Sequence, residues 1–237
     1  MPNFRTPRIV GRVIKFLFAL FILSVNAILI WRVFISTGMP KEIGTLLMND
    51  RLSAAYEQYG DGLTFRRQEQ ATVTKAEYNY GYFSVTQCVF IPEAEQVQIV
   101  VRYNNSTLKH LAQDYGLAEI PSRDLTLFDV TLVKTTDLTP NDKSDNTDPT
   151  RLSVERYYPS EEFLRDTTTL YTFYRYVFDG VTVDDVTDGV FADIYYVDDI
   201  DYNERAYGTL CLYSAVDEWE PYQLTSADRK ALRASCP

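Results

Sequence analysis

The densest chemistry in the sequence lies between Asp179 and Glu204, where nine carboxylates (Asp179, Asp184, Asp185, Asp188, Asp193, Asp198, Asp199, Asp201 and Glu204) stand without one basic residue. Concentrated oxygen donors suit a hard divalent cation, and Asp199-Ile200-Asp201-Tyr202-Asn203 has the D-x-D-x-N opening of a calcium loop. The pattern then departs: Glu204 stands at position six, where a Gly should make the turn, and Leu210 stands at position twelve instead of a bidentate Glu. The calcium candidates are therefore Asp199, Asp201, Asn203 and Glu204, and calcium is the one cofactor suggested. The competing reading is that these acids keep a strand edge solvated and unpaired.

Two carboxylates at a set separation also serve glycosidases, but no motif singles out a pair here. The chain has no Gly-rich phosphate loop, G-x-S-x-G elbow or H-E-x-x-H helix. Its single histidine, His110, excludes multi-histidine metal sites and would have to carry any Ser-His-Asp arrangement alone. Catalysis has no positive support, so the expectation is a protein that is not an enzyme.

Two further sets of residues could bind. Among the 18 tyrosines and 13 phenylalanines, Tyr171, Phe173, Tyr195 and Tyr207 could line one outer sheet face as a platform for sugars or peptides; cross-strand packing is the alternative. Trp219, set among Asp217, Glu218 and Glu220, reads as a packing cover. Of the three cysteines, Cys88, by strand alternation, shares a side with Ser84 and Thr86, away from the core, and the easiest disulfide joins Cys211 to Cys236.

What positions these residues begins at a membrane. Phe16 to Trp31 is broken only by Ser24 and Asn26, and extension to residues 13–36 gives a helix long enough to cross a bilayer. Arg5, Arg8, Arg12 and Lys15 precede the apolar run, and the first carboxylate of the chain is Glu42. This bias places a basic segment, residues 1–12, in the cytoplasm and the rest outside, as a single-pass signal-anchor. Cleavage after Val25-Asn26-Ala27 is the alternative, opposed by the apolar residues that continue to Ile35.

Beyond residue 35 there are 18 basic and 33 acidic side chains, a net charge of −15 hidden in the overall −10. Such a domain repels phosphate backbones, so nucleic acid is not expected as a partner. Spacings of three and four from Ile43 to Tyr59 predict an amphipathic helical connector over 37–62, with an interruption around Asn49-Asp50. Period-two alternation then predicts a β domain over 63–237: strands at 83–91, 97–103, 125–135, 151–158, 170–178, 190–197 and 206–214, and a weaker one within 63–80. Short helices are expected at 106–115 and 226–233, the latter opened by Thr225 and Asp228 at capping-box spacing. The turn-rich run 137–150 reads as a mobile loop.

The fold expected is mainly β: an antiparallel β-sandwich, immunoglobulin-like in architecture but without the Cys-Trp-Cys core, with short peripheral helices and one N-terminal transmembrane helix. The function expected is a membrane-anchored, extracytoplasmic binding or structural module of a cell envelope. It would hold the lipid bilayer through residues 13–36 and a basic protein or cell-wall component through its acidic domain. The alternatives are an envelope glycan hydrolase using paired carboxylates and an accessory subunit of a membrane complex.

Overall fold

A computed structural model describes residues 8–68, 82–134, 156–187, 189–200, 206–214 and 219–235. The chain divides into two compact units, Met1–Gly38 and Met39–Pro237.

The first unit contains α1 (Arg8–Thr37). Its stretch Arg12–Val33, 22 residues with none buried, is long and apolar enough to cross a membrane. The polar side chains inside it bond to their own helix: Ser24 Oγ donates to the Phe21 carbonyl and Asn26 Nδ2 to the Ile22 carbonyl, each at 2.8 Å. That removes the cost of an unpaired donor in an apolar surround.

The second unit is built on two antiparallel sheets. One has six strands in the order β10-β1-β2-β3-β7-β6, and the other four in the order β5-β4-β8-β9. The strands are β1 (Arg66–Gln68), β2 (Phe83–Ile91), β3 (Gln96–Asn104), β4 (Phe128–Lys134), β5 (Arg156–Tyr157), β6 (Leu164–Thr167), β7 (Tyr171–Asp179), β8 (Gly189–Tyr196), β9 (Gly208–Ser214) and β10 (Glu220–Pro221). Strands β6 and β10 go beyond the sequence expectation, because they are short and lack alternation.

One apolar core draws from both sheets. Phe83, Phe90, Val97, Ile99, Val101, Tyr103, Tyr174, Tyr176 and Phe178 of the larger sheet meet Phe128, Val130, Leu132, Ala192, Ile194, Tyr196, Leu210 and Leu212 of the smaller. Phe128 stands edge-on to Phe83, with ring centroids 4.9 Å apart, and to Tyr103 at 5.0 Å. Tyrosines can serve in this core because their hydroxyls find backbone acceptors: Tyr176 Oη donates to the Phe128 carbonyl at 2.7 Å and Tyr174 Oη to the Leu125 carbonyl at 3.2 Å. Gly208 lies under this ring cluster, where an added Cβ would come within 3.1 Å of Phe83.

The alternation of β2 is broken once. Its pairing with β3 shifts between Val85 and Gln87, a bulge that turns Cys88 and Phe90 to the core and Gln87 and Val89 to the opposite face. Cys88 is thus a core residue, 1% exposed, and not a neighbour of Ser84 on a polar side.

Segment 37–62 is helical on both sides of a break that ends at Asn49, beside the interruption expected at Asn49-Asp50. It folds as α2 (Lys41–Gly44), an extended stretch, and α3 (Asp50–Tyr59), with Asn49 capping α3 through a bond from the Leu52 amide to its Oδ1 at 3.0 Å. Gly60 ends α3 at φ +54°, a conformation that favours glycine. From Met39 onward the segment belongs to the second unit. Ile43 packs with Val100 and Phe173, while Leu46, Leu52 and Ala55 pack with Val89, Ile91 and Leu232. The outer face of the larger sheet is therefore covered by the chain that directly follows the apolar helix.

Among the described residues the unit also has the α-helices α4 (Thr107–Asp114), α5 (Val183–Thr187) and α6 (Ser226–Ser235). The capping box of α6 is reciprocal, with the Thr225 amide donating to Asp228 Oδ2 at 2.8 Å and the Asp228 amide to Thr225 Oγ1 at 3.1 Å.

Candidate functional site

Beneath the post-helix segment lies a continuous buried polar layer. At its centre Arg175 of β7 is fully buried. Its Nε donates to the Ile43 carbonyl at 2.7 Å, one terminal nitrogen donates to Gln98 Oε1 at 3.0 Å, and the other to Gln87 Oε1. The fork geometry of a guanidinium lets one side chain satisfy three acceptors on different elements. Burial lowers the Arg175 pKa to about 10, opposed by the neighbouring Tyr222 and the Asp228 carboxylate, so the group stays cationic at neutral pH.

The layer extends in two directions. Toward α3, Gln98 accepts from the Leu47 amide at 2.9 Å and donates to the Leu47 carbonyl at 2.8 Å; Gln96 donates to Asn49 at 2.9 Å and to Asp179 at 2.8 Å. Toward α6, Gln87 Nε2 donates to Tyr222 Oη at 3.1 Å, and Tyr222 Oη donates to Asp228 Oδ2 at 3.0 Å. The other oxygen of Asp228 accepts from the Leu46 amide at 2.7 Å. Burial first, and the Asp228 carboxylate next, push the Tyr222 hydroxyl up to about 12. These residues satisfy one another, as buried polar groups must, and they tie residues 43–49 to β2, β3, β7 and α6 at once.

Tyr222 also faces an open groove of about 680 Å³ at the β10–β1 edge. Leu63, Phe65, Trp219 and Leu224 line it together with the cationic Arg66 and Arg229. The edge is held by the Tyr222 amide donating to the Phe65 carbonyl at 2.8 Å and by an Arg67–Glu220 ion pair at 3.5 Å. Trp219 sets its ring 5.9 Å from Phe90. A smaller cavity of about 90 Å³ shares Leu63, Phe65, Leu224 and Arg229 with the groove. Aromatic walls with a few convergent polar groups are the usual make-up of a binding site, and two arginines give this one an anion preference within an acidic domain.

The residues singled out by sequence fall elsewhere. Of the calcium candidates, Asp201, Asn203, Glu204 and the side chain of Asp199 lie outside the described residues, as do the loop 137–150, Cys236 and the side chain of Cys211. Among the described residues no group of three or more His, Cys, Asp or Glu side chains is arranged to hold a metal ion.

The four aromatic candidates do not share one face. Tyr171 and Phe173 stand on β7 with rings 6.3 Å apart, and Phe173 is buried against Ile43 and Val100. Tyr195 belongs to the other sheet, where the Arg156 guanidinium lies 5.9 Å from its ring. Tyr207 packs 6.0 Å from Phe83 and 6.1 Å from Phe128 and donates to Asp114 at 2.9 Å. His110 is exposed on α4, stacked on Tyr82 at 4.8 Å.

Sequence reasoning passed over Arg175, Gln96, Gln98 and Gln87. The available signal was an arginine in the middle of the apolar run 170–178, and amides, instead of charges, at the first two polar positions of β3, Gln96 and Gln98. No protein-family model, curated protein or solved structure matches this chain.

Proposed function

We propose that this chain is a single-pass, membrane-anchored binding module of a cell envelope, with its N-terminus cytoplasmic and its second unit, a β-sandwich of immunoglobulin-like architecture, outside. It is not an enzyme in this reading. It holds an envelope component in the groove at the β10–β1 edge. The observation that carries this reading is the double role of Tyr222, which lines the groove and donates its hydroxyl into the polar layer that grips Ile43, Leu46 and Leu47. The groove and residues 43–47 thus share one buried polar layer, and a binding surface backed by satisfied buried groups is well positioned for a ligand. Arg66 and Arg229 favour a carboxylate-bearing cell-wall component over a basic protein at this place.

Trp219 offers the test. The chain has two tryptophans, the other being Trp31 in α1, so the full-length Trp31→Phe variant in lipid nanodiscs reports on the groove alone. Titration with a carboxylate-bearing peptidoglycan fragment should change Trp219 emission saturably, and Arg229→Glu should weaken binding about tenfold. Unchanged emission would refute the groove as a binding site, and hydrolysis products of the fragment would establish the glycan hydrolase instead. Protease added to intact cells should digest the second unit; protection would reverse the topology.

A further inference from the structure

The domain is acidic overall, yet one of its surfaces is basic. Helix α6 carries Arg229, Lys230 and Arg233, all exposed, while its single acid, Asp228, is fully buried. Asp228 is spent on the Leu46 amide, Tyr222 and its own helix cap, so it does not offset the three cations at the surface. Lys41 joins them: Lys41 and Lys230 line one shallow depression of about 460 Å³ with Ala227, Ala231 and Ala234. Two exposed acids border it, Glu42 next to Lys41 and Asp61, which lines a small cavity with Arg229 and Arg233; four cations stand against these two.

The position of Lys41 along the chain matters as much as its charge. It follows the last residue of the membrane-length stretch, Val33, by eight positions, four of them still in α1. Even fully extended, eight residues reach about 28 Å, and helical residues reach less than half as far each. If residues 12–33 span a bilayer, Lys41 and the α6 face fixed beside it are confined to the headgroup region and the layer just above it. Local concentration is then set by the tether and not by diffusion.

We propose that the face of α6 bearing Lys230, together with Lys41, docks on the anionic lipid headgroups of the bilayer that holds the protein's own α1. Basic side chains near a membrane surface are attracted by its negative potential over about one Debye length, and small residues between the lysines permit close approach. The remaining acidic surface is repelled by the same potential. One bilayer thereby both tethers the domain and orients it, with the α6 side down. The inference rests on the membrane-spanning reading of α1.

The test uses the full chain in nanodiscs of pure phosphatidylcholine and of phosphatidylcholine with 30% phosphatidylglycerol. Lysine acetylation is followed by mass spectrometry at Lys41, Lys230 and, as a control on the far helix α4, Lys109, which is also exposed. The expected result is acetylation at least threefold slower at Lys41 and Lys230 in the anionic discs, unchanged at Lys109, and restored by 0.5 M NaCl. Lys230→Glu should abolish the slowing at Lys41 and leave the melting temperature unchanged. Equal rates in both discs would overturn the docking. Slowing that is equal in both discs and insensitive to salt would point to an apolar contact and would overturn it too. Failure of the chain to enter nanodiscs would instead refute the membrane-spanning reading.

Discussion

Arg175 Nε donates to the carbonyl oxygen of Ile43 at 2.7 Å, joining the middle of β7 to chain that lies five residues beyond the end of the first unit. The contact is buried, and Gln98 and Gln87 accept from the same guanidinium. The consequence is that residues from Met39 onward are part of the second unit.

Arg175→Met keeps most of the volume and removes all the donors, leaving the Ile43 carbonyl and the half-buried Gln87 Oε1 without partners and Gln98 Oε1 with the Leu47 amide alone. Each such group costs about 1–3 kcal/mol, so a loss of about 3 kcal/mol in urea unfolding is expected. Arg175→Lys restores the charge without the fork and should recover less than half of it. A loss below about 1 kcal/mol would show that the layer adds little to stability.

Asp228 serves two elements, and its removal should show both. Asp228→Ala takes away the α6 cap and the acceptor of the Leu46 amide. A loss of about 2–3 kcal/mol is expected, against about 1 kcal/mol for Thr225→Ala, which disturbs only the cap. Equal losses would mean that the bonds from Leu46 and from the Tyr222 hydroxyl contribute nothing.

Part of the acid dependence of stability should come from Asp185. Burial raises its pKa, but bonds from Lys134, Thr182 and Tyr157 outweigh this and hold it down at about 2. A carboxylate depressed on folding adds stability that is complete above its unfolded pKa, near 4, and is lost as pH falls through the folded one. Allowing for partial solvent screening, about 1–2 kcal/mol should disappear between pH 5 and pH 2. In Lys134→Met this part of the acid dependence should be smaller; an identical acid profile would contradict the assignment.

Cys88 should be inert. Burial pushes its thiol up to about 12, so both thiolate content and access are minimal at neutral pH. In a chain with Cys211→Ser and Cys236→Ser, reaction with a disulfide reagent should proceed at the rate of global unfolding and accelerate sharply in denaturant. Fast labelling in native buffer would be inconsistent with a core position.

The strands from β2 to β9 were largely readable because half-buried strands write their burial into period two. Three features were not. The bulge in β2 reverses which residues face the core, yet nothing in the run 83–91 marks where the register slips, since register is decided by pairing with β3. Gln96 and Gln98 look solvent-facing by alternation, but the sheet face they occupy is roofed by residues 43–55, a long-range event invisible to local pattern. Arg175 reads as a lone charge in an apolar strand; only the fold supplies its three acceptors. Of the groove, Trp219 was noticed as a cover, whereas Arg66 and Arg229 come together from distant segments and carry no local signature.

The most direct test of the account is amide hydrogen exchange at Leu46 and Leu47 in the full chain. Neither amide belongs to a helix or strand ladder; each donates to one buried side chain, Asp228 at 2.7 Å and Gln98 at 2.9 Å. If the post-helix segment is an integral part of the domain, both should exchange with an opening free energy within about 1–2 kcal/mol of global unfolding, alongside the core of β3. Exchange within about tenfold of the rate of an unstructured peptide would contradict the account, because residues 39–48 would then be a loose linker and not the seat of the domain.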